Sequence, residues 1–241
     1  MSAAPETREG TAPIGRRVRL FLRHNSLGLF FVTAFLLALS GQAVAGHAEF
    51  NNQLVADGLE PIGFGAYLTT SDFGVDVMEN WQSEYLQFFL YIFGTVYLLQ
   101  RGSPESKELG RAGIESDQDQ MVGEHAADDS PRWAAATGWR TAVYSRSLGL
   151  VMGTIFLLSF LAQSVTGVAA YNEQQLRQLQ APVSWSAYLS SADFWSRTLQ
   201  NWQSELLAVA SMAVLAIYLR QRGSPESKPV GASHSATGVE G

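Results

Sequence analysis

The chain contains no cysteine in 241 residues. That absence excludes disulfides, thiolate zinc sites, iron–sulfur clusters and cysteine nucleophiles, and it leaves the redox compartment unmarked. The four histidines, at positions 24, 47, 125 and 234, are too scattered to suggest a metal cluster. There is no phosphate-cradling glycine loop, no H-E-x-x-H and no N-x-S/T sequon, so ATPase, zincin and glycosylation signatures are missing and no cofactor is expected. With 22 acidic against 16 basic residues and a net charge of -6, the balance argues against a general nucleic-acid binder.

Charge itself is missing from whole stretches, which a mean hydropathy of +0.02 conceals. Leu27 to Gly46 is an uncharged run of 20 residues and Ser147 to Asn172 one of 26. At about 1.5 Å per helical residue, each is long enough to cross a hydrocarbon core about 30 Å thick. Tyr85 to Gln100 and Leu206 to Leu219 are shorter, at 16 and 14 residues. Alone, each would suit a buried helix of a soluble protein equally well. An apolar stripe at Phe73, Val77, Trp81 and Tyr85 has helical spacing, so the second and fourth helices are expected to begin well outside the membrane and to run for some 27 residues.

Shifting the chain against itself by 121 residues aligns positions 23–107 with 144–228 without a gap, and about two positions in five are identical. Ser26-Leu27-Gly28-Leu29 recurs at Ser147, Asn80-Trp81-Gln82-Ser83-Glu84 at Asn201, and the octapeptide from Gln100 to Lys107 at Gln221 to Lys228. The expected fold is therefore an all-α integral membrane bundle: four transmembrane helices, built as a tandem parallel repeat of a two-helix unit about a pseudo-twofold axis along the membrane normal.

Of the 16 basic residues, 14 lie before the first run, between the second and third, or after the fourth, so both termini are expected in the cytoplasm. Arg16, Arg17, Arg19 and Arg23 before an apolar run that ends in Ala43-Val44-Ala45 also resemble a cleavable leader. The internal counterpart of that run favours a retained helix. Residues 1–22 and 229–241 read as disordered cytoplasmic tails and 108–143 as an acidic, flexible linker with an interfacial segment. Asp72 and Asp193 are candidate caps of the second and fourth helices, and Gly102 and Gly223 candidate left-handed residues at their ends, with Pro104 and Pro225 preventing continuation.

The candidate site is a polar cluster held near the outer membrane surface: Gln42, Asn80 and Glu84 from one repeat, and Gln163, Asn201 and Glu205 from the other. Polar groups at that depth are costly unless they face protein or water. An interhelical hydrogen-bond clasp is the leading reading, and a cation or proton pathway through the two glutamates is the alternative. Trp81 and Trp202 are read as headgroup-level anchors, and Arg101 and Arg222 as anchors at the cytoplasmic helix ends. The repeated octapeptide reads as a stop-and-anchor element, or as a docking site for a cytoplasmic protein. The lipid bilayer is the expected partner, and homo-oligomerisation stays open.

The motifs R-H-N-S-L-G-L from Arg23, G-Q-A-V-A-G from Gly41, N-W-Q-S-E and R-G-S-P-E-S-K together resemble a bacterial membrane-protein family catalogued as domain of unknown function 6766. The second copy departs from it, with Tyr144-Ser145-Arg146 where the first has Arg23-His24-Asn25, and Ala162 in place of Gly41. The resemblance implies a bacterial origin and a membrane location and brings no catalytic residues. The expected role is non-enzymatic, a structural or interaction protein of the inner membrane. A small channel or transporter is the alternative, against which the apolar inner halves of the helices weigh.

Overall fold

The computed structural model describes residues 14–240, and among them there are helices and no strand. The chain divides into two compact units, Met1–Leu68 and Thr69–Gly241.

In the first unit, α1 (Ile14–His24) is followed by α2 (Ser26–Ala56) and the short α3 (Phe64–Tyr67). Residues 14–22 were expected to belong to a disordered tail and are helical instead. Ile14, Val18, Phe21 and Leu22 follow i, i+4, i+7, i+8 spacing, while Arg16, Arg19 and Arg23 occupy the opposite face. The alternation of arginine and apolar residues had masked a basic amphipathic helix, which has no buried residue. The remainder of that tail, 1–13, lies outside the described residues.

In the second unit, α4 (Ser71–Tyr97) packs most extensively on α6 (Ser147–Arg177) and also on α8 (Ala192–Tyr218). A short α5 (Trp139–Tyr144) precedes α6, and α7 (Trp185–Leu189) joins α6 to α8. The long helices match in pairs: α2 and α6 both have 31 residues, α4 and α8 both 27. Two of them, α2 and α6, are long and apolar enough to cross a membrane. The polar N-terminal turns of α4 and α8 keep those helices below that standard.

The helix ends differ from the expected caps. The hydroxyls of Thr70 and Ser191 accept the amides of Phe73 and Phe194 and are the N-caps of α4 and α8. Asp72 and Asp193 fall in the first turn, where a negative charge still favours the helix dipole. At the other end, α4 stops at Tyr97 and α8 at Tyr218, each followed by an extended leucine. Gly102 and Gly223 do adopt positive φ, of 86° and 82°, but in the turn beyond the helix and not at its terminus.

Each long apolar helix holds the loop that follows it through the same device. Asn51 accepts from the amide of Ile62 at 2.9 Å and donates to its carbonyl at 3.0 Å; Asn172 does likewise with Val183 at 2.8 and 3.0 Å. Tyr67 and Tyr188, 3% and 1% exposed, then lie on Gly46 and Gly167. A Cβ added at Gly167 would sit 2.6 Å from the Tyr188 hydroxyl and 3.0 Å from its ring. Both helices also end in a left-handed residue, Gly58 at φ 74° but Leu179 at φ 57°. The amides of Leu59 and Gln180 reach back to Leu54 and Gln175, both at 2.8 Å.

Two outcomes follow for thermal unfolding in detergent. Gly167→Ala lowers stability by about 1–3 kcal/mol through overpacking, and adding Tyr188→Phe recovers part of the loss. Leu179→Gly raises stability by about 0.5–1 kcal/mol, because a left-handed non-glycine costs about 1–2 kcal/mol and glycine's extra unfolded-state entropy offsets some of the gain.

Candidate functional site

The centre of the second unit is a polar core. Gln82 and Thr198 are 0% exposed and Gln163 is 1% exposed, with Ser83, Ser159 and Ser164 buried beside them. Buried polar groups are tolerated where they find partners, and here most do, with Gln163 Oε1 left without one among the described residues. Trp202 donates its indole N–H to Gln82 Oε1 at 2.8 Å, joining α8 to α4, and Gln82 Nε2 reaches the Glu79 carbonyl at 3.1 Å. Gln163 donates to Thr198 Oγ1 at 3.2 Å, joining α6 to α8. The Trp202 ring lies 6.4 Å from that of Phe160, which in turn meets Phe194 edge-on at 5.6 Å. Trp202 is therefore an interhelical donor as well as a half-buried aromatic, a role that its reading as a headgroup anchor did not include.

Above this core, Arg197 of α8 bridges two carboxylates of α4, with its Nη2 2.9 Å from Asp76 and its Nε 2.7 Å from Glu79. Asp76 and Arg197 are 121 residues apart, so equivalent positions of the aligned blocks carry opposite charges and meet. Further along the same two helices, Glu84 and Glu205 are near enough to interact electrostatically. Beyond the helix ends, Glu105 and Glu226 are hydrogen-bonded to each other, and the Tyr91 hydroxyl also donates to Glu105. Burial, with the neighbouring Glu226 carboxyl, pushes the Glu105 carboxyl up to about 7.

The octapeptide has one conformation in both copies. Ser106 Oγ accepts the Gln100 amide at 2.9 Å, and Ser227 Oγ accepts the Gln221 amide at 2.9 Å. Lys107 Nζ holds the Gly113 carbonyl at 2.9 Å and Glu115 at 3.0 Å. Lys228, 1% exposed, has its ammonium within hydrogen-bond distance of four carbonyls shared among its three N–H groups: Gly102 at 2.6 Å, Ser233 at 3.2 Å, His234 at 3.0 Å and Ala236 at 3.1 Å. Gly102 N–H also donates to Thr237 Oγ1 at 2.8 Å, and Gly238 N–H to the Ser103 carbonyl at 3.1 Å. The last segment, expected to be disordered, has no regular secondary structure yet is tied through residue 238 to the first octapeptide. The linker likewise carries fixed turns, with Gly113 N–H on the Val96 carbonyl at 2.7 Å and Gly123 N–H on the Ala134 carbonyl at 2.9 Å.

Of the six candidate cluster residues, Glu84 and Glu205 lie within electrostatic reach of each other and Gln163 is buried in the polar core. Asn80 and Asn201 turn back on their own helices, donating to the carbonyls of Asp76 at 2.9 Å and Arg197 at 3.2 Å. Gln42 is half-buried in the first unit. Arg101 and Arg222 are exposed. The carbonyls at the end of α8 are met instead by Arg220, which donates to Ala216, Ile217 and Leu219 at 2.8–3.3 Å. Arg197, Gln82, Thr198 and Arg220 were missed. The signal for Arg197 is its alignment with Asp76, 121 residues earlier, which is complementary in charge and not identical.

The chain belongs to the family described as Domain of unknown function (DUF6766), which it matches over residues 18–239. No curated protein and no solved structure matches it.

The ion triad and the carboxyl pair give separate outcomes. Arg197→Asp gathers three carboxylates and lowers stability by about 2 kcal/mol or more, while the swap Asp76→Arg with Arg197→Asp recovers much of it. Glu105 has a folded-state pKa above its unfolded value, so the folded chain binds the extra proton between about 4.5 and 7. Stability therefore falls as pH rises through that window and levels off above it. Glu105→Gln flattens this dependence, measured as melting temperature between pH 5 and pH 8.

Proposed function

We propose that this chain is a four-span protein of the bacterial inner membrane with both termini in the cytoplasm, and that it acts as a structural or interaction protein without an enzymatic step of its own. The observation that carries the reading is the approach of residues 121 apart at three places: the Asp76–Arg197 ion pair, Glu84 within electrostatic reach of Glu205, and Glu105 with Glu226 beyond the helix ends. Equivalent residues of two copies touch only near the axis that relates them. Approaches at successive positions, along α4 and α8 and in the octapeptides beyond them, support an axis that runs along the helices, as in a parallel duplication and not an inverted one. In this reading α4 and α8 also span, their polar outer turns closed off by the Arg197 triad and the Gln82–Trp202 bond.

The same contacts favour a clasp over a pathway. Polar groups are concentrated toward one end of α4 and α8 and largely engage one another, while the segments beyond Tyr85 and Leu206 are mostly apolar. The octapeptides engage each other and the chain's own C-terminal segment, which makes their first partner intramolecular.

Reconstituted protein is expected to give cation and proton flux no greater than protein-free liposomes. A specific flux abolished by Glu84→Gln with Glu205→Gln would establish the channel alternative in its place. In a chain without native cysteine, Glu60→Cys is expected to react with an impermeant maleimide added from outside, and labelling only after the cytoplasmic face is opened contradicts the orientation.

A further inference from the structure

A cavity of about 990 Å³ opens between the inner halves of α4 and α6, the linker and α5. Its lining is divided by depth. Phe89, Phe93, Leu150 and Leu157 form an apolar wall on the long helices, and a polar rim lies where those helices end, at Lys107, Glu115, Asp117 and Arg146. Lys107 and Glu115 neutralise each other at 3.0 Å. Arg146 makes no ion pair among the described residues, its guanidinium reaching only the Ala142 carbonyl at 3.0 Å, and Asp117 has no side-chain partner among them. The rim thus offers one unspent cation and one unspent anion above an apolar slot. Gly149 lines the slot, and a Cβ built on it meets no atom within 4 Å, so the helix surface there faces open space.

We propose that this cavity is a binding site for a membrane phospholipid whose headgroup carries a primary ammonium beside its phosphate, with an acyl chain against the phenylalanines, the phosphate at Arg146 and the ammonium at Asp117. Such a ligand is the class that matches both the apolar depth and the paired opposite charges of the rim. An anionic headgroup lacking the ammonium leaves Asp117 facing like charge. The inference rests on the membrane reading above, and it goes further in assigning a site and a ligand chemistry.

The test is native mass spectrometry of the full chain, purified from washed membranes in mild detergent, delipidated, and titrated with phosphatidylethanolamine or phosphatidylglycerol. Recovery of the chain in the aqueous fraction would defeat the membrane reading, whereas membrane recovery without lipid binding defeats only the site. One phosphatidylethanolamine per chain is expected, preferred about tenfold over phosphatidylglycerol. Gly149→Leu fills the slot at a position where leucine also favours the helix, and it is expected to abolish retention while the melting temperature is kept. Asp117→Asn is expected to erase the headgroup preference without loss of binding, and Arg146→Gln to weaken both lipids. Wild-type retention by Gly149→Leu, equal binding of the two lipids by the wild type, or displacement by soluble glycerophosphoethanolamine as effective as by the lipid overturns the proposal.

Discussion

The second unit depends on one electrostatic requirement: a guanidinium placed half-buried between two helices must be met by carboxylates. Arg197 meets Asp76 and Glu79 together, and this fixes the rotation of α8 against α4. With that rotation set, the Trp202 indole falls on Gln82, and further along the helices Glu84 and Glu205 lie within electrostatic reach of each other. The negative side chains exceed the positive one along this seam. The arginine offsets that excess at one end, and beyond the helix ends burial and the Glu226 carboxyl raise the Glu105 carboxyl so that it holds its proton more readily.

α4 has a double part in this arrangement. It shares the charged seam with α8, and its broadest packing is on α6, where Gly74 meets Thr166 at 3.0 Å and Gly153 meets Phe89 at 3.1 Å, distances measured from a Cβ built on each glycine. Small residues allow the two helices to approach closely without demanding polar bonds at every crossing. Beyond the helix ends the same economy recurs in the octapeptides. One serine hydroxyl closes each turn, and the terminal lysine folds back whatever chain follows, the linker after Lys107 and the C-terminal segment after Lys228.

Much of this was legible in the sequence because hydropathy and repetition are properties of residue order. The lengths of α4 and α8 followed from the stripe that begins at Phe73, and the pairing of 31-residue helices from the aligned uncharged runs. The capping residues were misplaced by two positions because Asp, Ser and Thr all suit an N-terminus, and only backbone geometry decides which hydroxyl reaches the third amide. The α1 helix was hidden because arginines on one face interrupt the apolar residues in linear order while leaving them contiguous on the helix surface. The Asp76–Arg197 contact was legible in principle. Opposite charges at aligned positions are what two copies need if that position lies on their axis, but a comparison by identity discards them.

That axis is the central claim, and cross-linking tests it most directly, since the chain has no cysteine of its own. Three double-cysteine variants, at positions 76 and 197, 84 and 205, and 105 and 226, treated in membranes with a short bis-maleimide, are expected to cross-link within the chain at all three levels. Cross-linking at one level only indicates an axis crossing the helices, and cross-linking at none indicates that α4 and α8 are not paired; either result contradicts the account.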